Sequence, residues 1–178
     1  MSELGQPLAS TTKRARPIVL IPTALIEETD RLLTSPGARS HEEEILYWAG
    51  VESLGTWVIL LCIRPRASRT RGSFRTTADA NAEVIHELAE HRLHLLAQVH
   101  SHPDQFVDHS EGDDAGAFMP FENFISIVVP HYGDRGVLPL AQCGVHRMES
   151  GVFRRLAKPE VERSLRVVPG VRDLRSSA

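Results

Sequence analysis

The run Leu93-His94-Leu95-Leu96-Ala97-Gln98-Val99-His100-Ser101-His102-Pro103, with Ser110-Glu111-Gly112-Asp113 a few residues further on, decides how this chain folds. Residues 93–99 read as a buried strand that runs into His100. Side chains alternate faces along a strand, so His100 and His102 send two imidazoles to the same side. Pro103 has no N–H to give a ladder and turns the chain away. Ser110 and Asp113 have the form of a helix start, a hydroxyl cap with an acid three residues on, which puts Asp113 in the first turn.

Working outward, residues 44–51 and 56–63 are apolar runs separated by Ser53-Leu54-Gly55, the pattern of an antiparallel hairpin. Residues 64–75 carry five arginines and no acid, broken by Pro65 and Gly72, and read as a basic loop entering a short strand around Phe74. Asp79 is placed to cap a helix over 80–92 whose apolar stripe is Val84, Ile85, Leu88 and Ala89. Near the start, residues 18–21 predict a strand, and Pro22-Thr23 opens a helix through Leu25, Ile26, Leu32 and Leu33 that stops at Pro36-Gly37. Residues 110–119 predict a short helix ended by Pro120, and 124–129 a β-branched strand closed by Pro130. The segments 138–148 and 152–156 predict a last pair of strands around Glu149-Ser150-Gly151. Pro159 marks a helix start in an otherwise polar C-terminal part. The order βαββ(β)αβαβββ implies an α/β fold, a mixed sheet flanked by helices. The expected organisation is a loose N-terminal tail over 1–16, one domain over 17–157 and an extension over 158–178.

Composition agrees with a single core: 178 residues, 19.8 kDa, 42% hydrophobic. A net charge of -3 and 6% aromatic residues give no nucleic-acid footprint. The longest apolar run, 57–63, is far short of the roughly 20 residues that span a membrane. Lys13, Arg14 and Arg16 precede no leader-like apolar core, so a cytoplasmic protein is expected. Cys62 and Cys143 lie in apolar stretches and read as buried thiols, which excludes a thiolate metal site. Lys13 and Lys158 are the only lysines against eighteen arginines, a bias that codon composition explains.

Two neutral imidazoles and one carboxylate leave a four-coordinate zinc with a position open for water, the catalytic arrangement, although nitrogen and oxygen donors also suit iron or manganese. Asp114 is the fallback ligand if the helix starts one residue later. A metal-activated water needs a base, and Glu42, Glu43 and Glu44 stand at the entrance to the first hairpin strand. The hydroxyl of Ser110 is claimed both by a cap and by chemistry. His86 and His91 enclose a Glu as in a metallopeptidase helix, but five positions apart they do not share a helical face. His86, Glu90 and His94 read as a solvated face. His109 and Asp108 flank the ligands without an assigned role, and the histidines beyond the ligand pair read as surface or cleft residues.

His100, His102, Pro103, Ser110 and Asp113 resemble the JAMM (MPN-plus) metallopeptidase motif: an upstream glutamate, His-x-His-Pro, a short gap, then Ser-x-x-Asp. In bacterial members the glutamate precedes a strand with glycine seven positions on, a spacing met by Glu43 and Gly50, although Leu46 stands where a glycine is usual. The resemblance covers about residues 18–146. It implies a cytidine-deaminase-like single domain with one zinc held by His100, His102 and Asp113. Glu43 is then the general base and Ser110 the oxyanion donor. The implied reaction is cleavage of a peptide or isopeptide bond after the tail of a ubiquitin-like or sulfur-carrier protein, with activating or conjugating enzymes as further partners and no nucleic acid or membrane. The alternatives are a non-catalytic MPN-type interaction module, against which the intact ligands count, and a nucleic-acid binder using the arginine run.

Overall fold

The computed structural model describes residues 16–34 and 41–170. The expected tail before residue 16, the helix stop at Pro36-Gly37 and the end of the chain after residue 170 lie outside them. Among the described residues ten strands and four α-helices follow in the order β1 (Ile18–Pro22), α1 (Thr23–Leu33), β2 (Ile45–Ser53), β3 (Thr56–Ile63), β4 (Ala67–Thr70), β5 (Ser73–Thr76), α2 (Ala78–His91), β6 (His94–Ser101), α3 (Glu111–Gly116), β7 (Ile125–Val129), β8 (Gly144–Glu149), β9 (Val152–Arg155), α4 (Lys158–Ser164) and β10 (Leu165–Val168). Eight strands form one mixed sheet in the order β10-β1-β3-β2-β6-β7-β8-β9, and β4 and β5 form a separate hairpin. The α/β fold with helices packed on a mixed sheet is therefore the one expected. No helix among the described residues is long and apolar enough to cross a membrane.

The sheet buries both faces, which is why its central strands are apolar almost throughout. On one face Leu25, Ile26 and Leu33 of α1 and Val161 of α4 join Trp48, Ile59, Val99, Ile127 and Val145. On the other, Val84 and Leu88 of α2 meet Ile45, Tyr47, Leu95 and Phe124, with Phe74 and Ala67 of the small hairpin at the margin.

Four local expectations are corrected. Residues 64–75 are not a loop with one strand but contain the β4–β5 hairpin, whose alternation of small polar and arginine residues hid the period. Thr77, not Asp79, caps α2, its hydroxyl accepting from the Ala80 amide at 3.2 Å. The buried stripe of α2 is Ala80, Val84 and Leu88, since Ile85 is 48% exposed. The strand expected over 138–148 begins only at Gly144, after a 3-10 turn over Leu140–Gln142; beyond it, α4 starts where Pro159 marks a helix and β10 pairs parallel with β1.

Gly50 lies where β2 bulges against β3 and β6. A Cβ there would come within 1.9 Å of the Val58 carbonyl oxygen, a backbone atom that cannot yield cheaply. Gly50→Ala should therefore lose at least about 1–3 kcal/mol in urea denaturation, as overpacking does. Gly72→Ala, with nothing near the added carbon, should stay within about 0.5 kcal/mol of wild type.

Candidate metal centre

Strand β6 is fixed on both sides, with Ile45 of β2 opposite His100 and Val128 of β7 on its other flank. Its end is clasped by the residue between the two histidines. The Glu44 amide donates to Ser101 Oγ at 2.9 Å, and the Ser101 amide donates to the Glu44 carbonyl at 3.1 Å. The His102 amide donates to the Val129 carbonyl at 2.9 Å. After Pro103 the chain is tied to the corner beyond β7, where the Tyr132 amide donates to the His102 carbonyl at 2.8 Å and the His131 amide to the Asp104 carbonyl at 2.9 Å. His131 and Tyr132 hold φ of 54° and 53°, an unfavourable region for such side chains, and this aims successive amides back at the turn.

Within this frame His100, His102 and Asp113 converge, with one potential ligand atom from each lying within 4.8 Å of the others. His100 Nε2 is 3.4 Å from Asp113 Oδ1, and His102 Nε2 is 3.3 Å from Asp113 Oδ2. Donors held about 2.0–2.1 Å from one tetrahedral ion stand about 3.3–3.4 Å apart, and each imidazole stands at that separation from one of the two Asp113 oxygens. His102 Nδ1 lies 2.9 Å from the Phe106 carbonyl; donating there, it keeps the Nε2 lone pair on the metal side. His100 is fully buried, yet neither of its nitrogens has a hydrogen-bond partner. An unsatisfied buried polar atom costs about 1–3 kcal/mol, and a cation at Nε2 removes that cost for one of the two. The residues present thus fit a metal ion.

The electrostatics point the same way. Burial pushes the Asp113 carboxyl upward, but the imidazoles of His100 and His102 beside it and the Ser110 amide outweigh it and hold it far below the usual carboxylate range. Burial holds His100 below the ordinary histidine value. His102 is also lowered by burial, but its contacts with Asp113 and the Phe106 carbonyl leave it raised overall.

The three candidate bases separate cleanly. Glu44 is 1% exposed and forms ion pairs with both Arg64 and Arg69, which commits its carboxylate. Glu43 is 4% exposed, its amide donates to the Thr70 carbonyl at 2.8 Å, and its side chain lines the cleft with Asp113 and Ser110. Burial raises its carboxyl to about 7, with the His102 charge pulling down and Asp113 pushing up. Glu42 is half-buried and lines no part of that cleft.

Ser110 caps α3. Its Oγ accepts from the Asp113 amide at 3.2 Å and donates to Asp113 Oδ2 at 2.9 Å, while its own amide donates to the same oxygen at 2.7 Å. The capping reading of Ser110 is met in full, with its hydroxyl proton given to the Asp113 carboxylate. Asp114 does not join the ligand group; its carboxylate meets His109 instead.

The cleft in front of these residues has a volume of about 800 Å³. One wall is the β4–β5 hairpin. Pairing of Ser68 with Arg75 and Thr70 with Ser73 puts these four on one exposed face, and they line the cleft together with Phe74 and Thr76 of the other face, where Phe74 lies 5.5 Å from the His100 ring and Arg69 reaches Glu44. Of the five arginines, Arg64, Arg69 and Arg66 have acidic partners, so most of the run neutralises the fold's own carboxylates. The His86, Glu90 and His94 side chains are exposed, as expected of a solvated face. His109, expected to flank the ligands, has a side chain 5% exposed whose ring centroid is 5.8 Å from that of His100, and His146, which was not singled out, is 4% exposed and packs against His109. His146 carries no signal beyond its place in a strand. Cys62 and Cys143 are unbridged, and burial pushes their thiols up to about 11 and about 12.

Comparisons with known proteins agree. The family described as prokaryotic homologs of the JAB domain matches residues 27–141. A protein of Sinorhizobium fredii named probable metalloprotease y4jG is 31% identical over 136 residues, spanning 74% of this chain and 82% of the relative. A Desulfitobacterium hafniense protein solved in solution superposes with a TM-score of 0.62 at 12% identity, over 86% of this chain and 95% of the other. A Salinibacter ruber protein gives a TM-score of 0.51 at 17% identity, over 80% and 93%. Identities this low bear on the fold alone.

The position of Glu43 is open to direct measurement. In the metal-free protein its carboxyl carbon resonance should titrate with a midpoint near 7. Adding a divalent cation should move the midpoint down, because a nearby positive charge favours the carboxylate. A midpoint that ignored the cation would place Glu43 away from the metal.

Proposed function

The chain belongs to the family of prokaryotic JAB-domain proteins, and from that premise we propose a zinc peptidase that hydrolyses a peptide or isopeptide bond after the tail of a ubiquitin-like or sulfur-carrier protein. The observation that carries the reading is the convergence of His100, His102 and Asp113, with no thiolate, beside the buried carboxyl of Glu43. Two imidazoles and one carboxylate are a set that catalytic zinc uses with a further position left open, which favours one zinc per chain over iron or manganese. Once bound, such an ion polarises the scissile carbonyl and acidifies water.

The chain's own residues do the rest. Glu43, whose carboxyl is raised to about 7, takes the proton of the attacking water and returns it to the departing amine. Where that amine is a lysine side chain the bond cleaved is an isopeptide. Ser110 Oγ, which donates to Asp113 at 2.9 Å, stands at the cleft and turns its proton toward the carbonyl oxygen as charge develops there. An extended tail lies along the hydroxyl-rich hairpin face, with Arg75 as its cationic contact. Activating or conjugating enzymes that handle the same modifier are the further partners of this reading, and the cytoplasm is its compartment. The intact ligands and the base beside them weigh against a non-catalytic interaction module.

Zinc analysis of the purified protein should give one ion per chain, lost in His102→Ala. Glu43→Gln should keep the ion and lose at least about 100-fold in cleavage of a modifier fusion, as removal of a general base does. Ser110→Ala should lose about 100- to 1,000-fold with metal content unchanged. Wild-type cleavage by Glu43→Gln would remove Glu43 from the role.

A further inference from the structure

We infer that His109 is a positioning residue for the metal centre, a bracket that ties the helix carrying Asp113 to the strand floor carrying His100. The inference rests on the metal centre proposed above. Helix α3 has only six residues, too few to hold a shape by its own hydrogen bonds. Yet the position of Asp113 relative to two fixed imidazoles must be good to a fraction of an ångström for a common ion.

A chain of hydrogen bonds supplies the anchorage. Asp114 Oδ1 lies 2.6 Å from His109 Nδ1, and His109 Nε2 lies 2.8 Å from Ser126 Oγ. Gln98 Nε2 donates to the same Ser126 oxygen at 3.0 Å. One polarity satisfies every atom: Gln98 donates to Ser126, the Ser126 hydroxyl donates to His109 Nε2, and His109 Nδ1–H donates to the Asp114 carboxylate. Gln98 and Ser126 sit opposite each other in the β6–β7 register, and Gln98 is two residues before His100 on the same face. The floor that presents the first ligand thus also fixes the helix that presents the third.

The ring has no freedom to do otherwise. Its centroid is 4.1 Å from that of His146, 4.7 Å from Phe153 and 5.8 Å from His100. Both nitrogens are engaged, so His109 has no lone pair left for a metal and is not a further ligand. The Asp114–His109–Ser126 order is that of a hydrolase triad, but Ser126 is fully buried within β7, where no substrate reaches its hydroxyl. The loop leading to the bracket is held as well: Gly144 admits the Val107 carbonyl at a distance that a Cβ would fill, and Arg155 pairs with Asp108 at 2.6 Å.

The test compares zinc affinity, by competition with a chromophoric chelator, the visible spectrum of the cobalt-substituted protein, and the thermal midpoint of the metal-free protein. Asp114 is the safest position to change, its side chain being 56% exposed. Asp114→Ala should bind zinc about 10- to 100-fold more weakly and alter the cobalt bands, with the metal-free midpoint little changed. Asp114→Asn, whose amide oxygen still accepts from Nδ1–H, should recover most of the affinity. His109→Ala should match Asp114→Ala, and the double variant should be no worse than either alone, because both break one chain. If His109→Ala fails to fold, the Asp114 pair decides alone. Unchanged zinc affinity and cobalt spectrum in Asp114→Ala would overturn the bracket while leaving the metal centre standing. A wild-type protein with no affinity for zinc or cobalt would overturn the centre itself, and the bracket with it.

Discussion

Strand β6 lies between an antiparallel neighbour, β2, and a parallel one, β7, and it ends where Pro103 withdraws a donor from the ladder. Everything the site needs is measured from that ending. The hydroxyl of Ser101 and its backbone clasp Glu44, so the strand carrying the candidate base cannot slide relative to the strand carrying the ligands. A slip of one residue would turn His100 and His102 to the opposite face of the sheet and carry Glu43 away with the same motion. The bulge at Gly50 fixes the same register from the far end of β2, because only a residue without Cβ lets β3 come so close there.

The fold also has to contain a concentration of buried charge, and it does so by pairing. Glu44, nearly without exposure, faces two guanidinium groups, one from the end of β3 and one from the inner face of the hairpin. Removing either partner would leave a carboxylate poorly compensated in the interior, where an unpaired charge costs several kcal/mol. This explains why an arginine-rich stretch packs at the sheet margin rather than remaining a solvated loop. Hairpin and sheet are held together by ion pairs and by the Glu43–Thr70 backbone bond, not by apolar area alone.

How much of this was legible in the sequence follows from how local each signal is. The ligand trio could be read because alternation along one strand and the first turn of one helix each require only a few neighbouring residues. The choice of Glu43 needed the seven-residue spacing to Gly50, and its physical reason, the approach to Val58, involves a strand that spacing cannot see. The β4–β5 hairpin was illegible because its faces carry hydroxyls and arginines, whose inward members are recognised only when Glu44 is in place. β10 escaped for a related reason: Leu165–Val168 is a four-residue edge strand whose one parallel partner, β1, lies more than a hundred residues away. His109 and His146 looked like surplus histidines because their partners, Ser126, Asp108 and Phe153, are brought to them only by the closing of the sheet.

The charge balance of the site argues that proton and metal occupancy are alternatives. Burial penalises net charge in any state of the pocket. Without an ion, the ionised Asp113 is matched by a proton that His102 holds more tightly than usual, and Glu43 sheds its own charge by taking a proton near pH 7. When a dication is held, both histidines must be neutral to donate lone pairs, and Asp113 and Glu43 are both stabilised as anions. Protons therefore leave as the positive charge arrives. The burial that raises Glu43 thus leaves, beside His102 and Asp113, a carboxyl that exchanges a proton near pH 7 until a nearby cation lowers it.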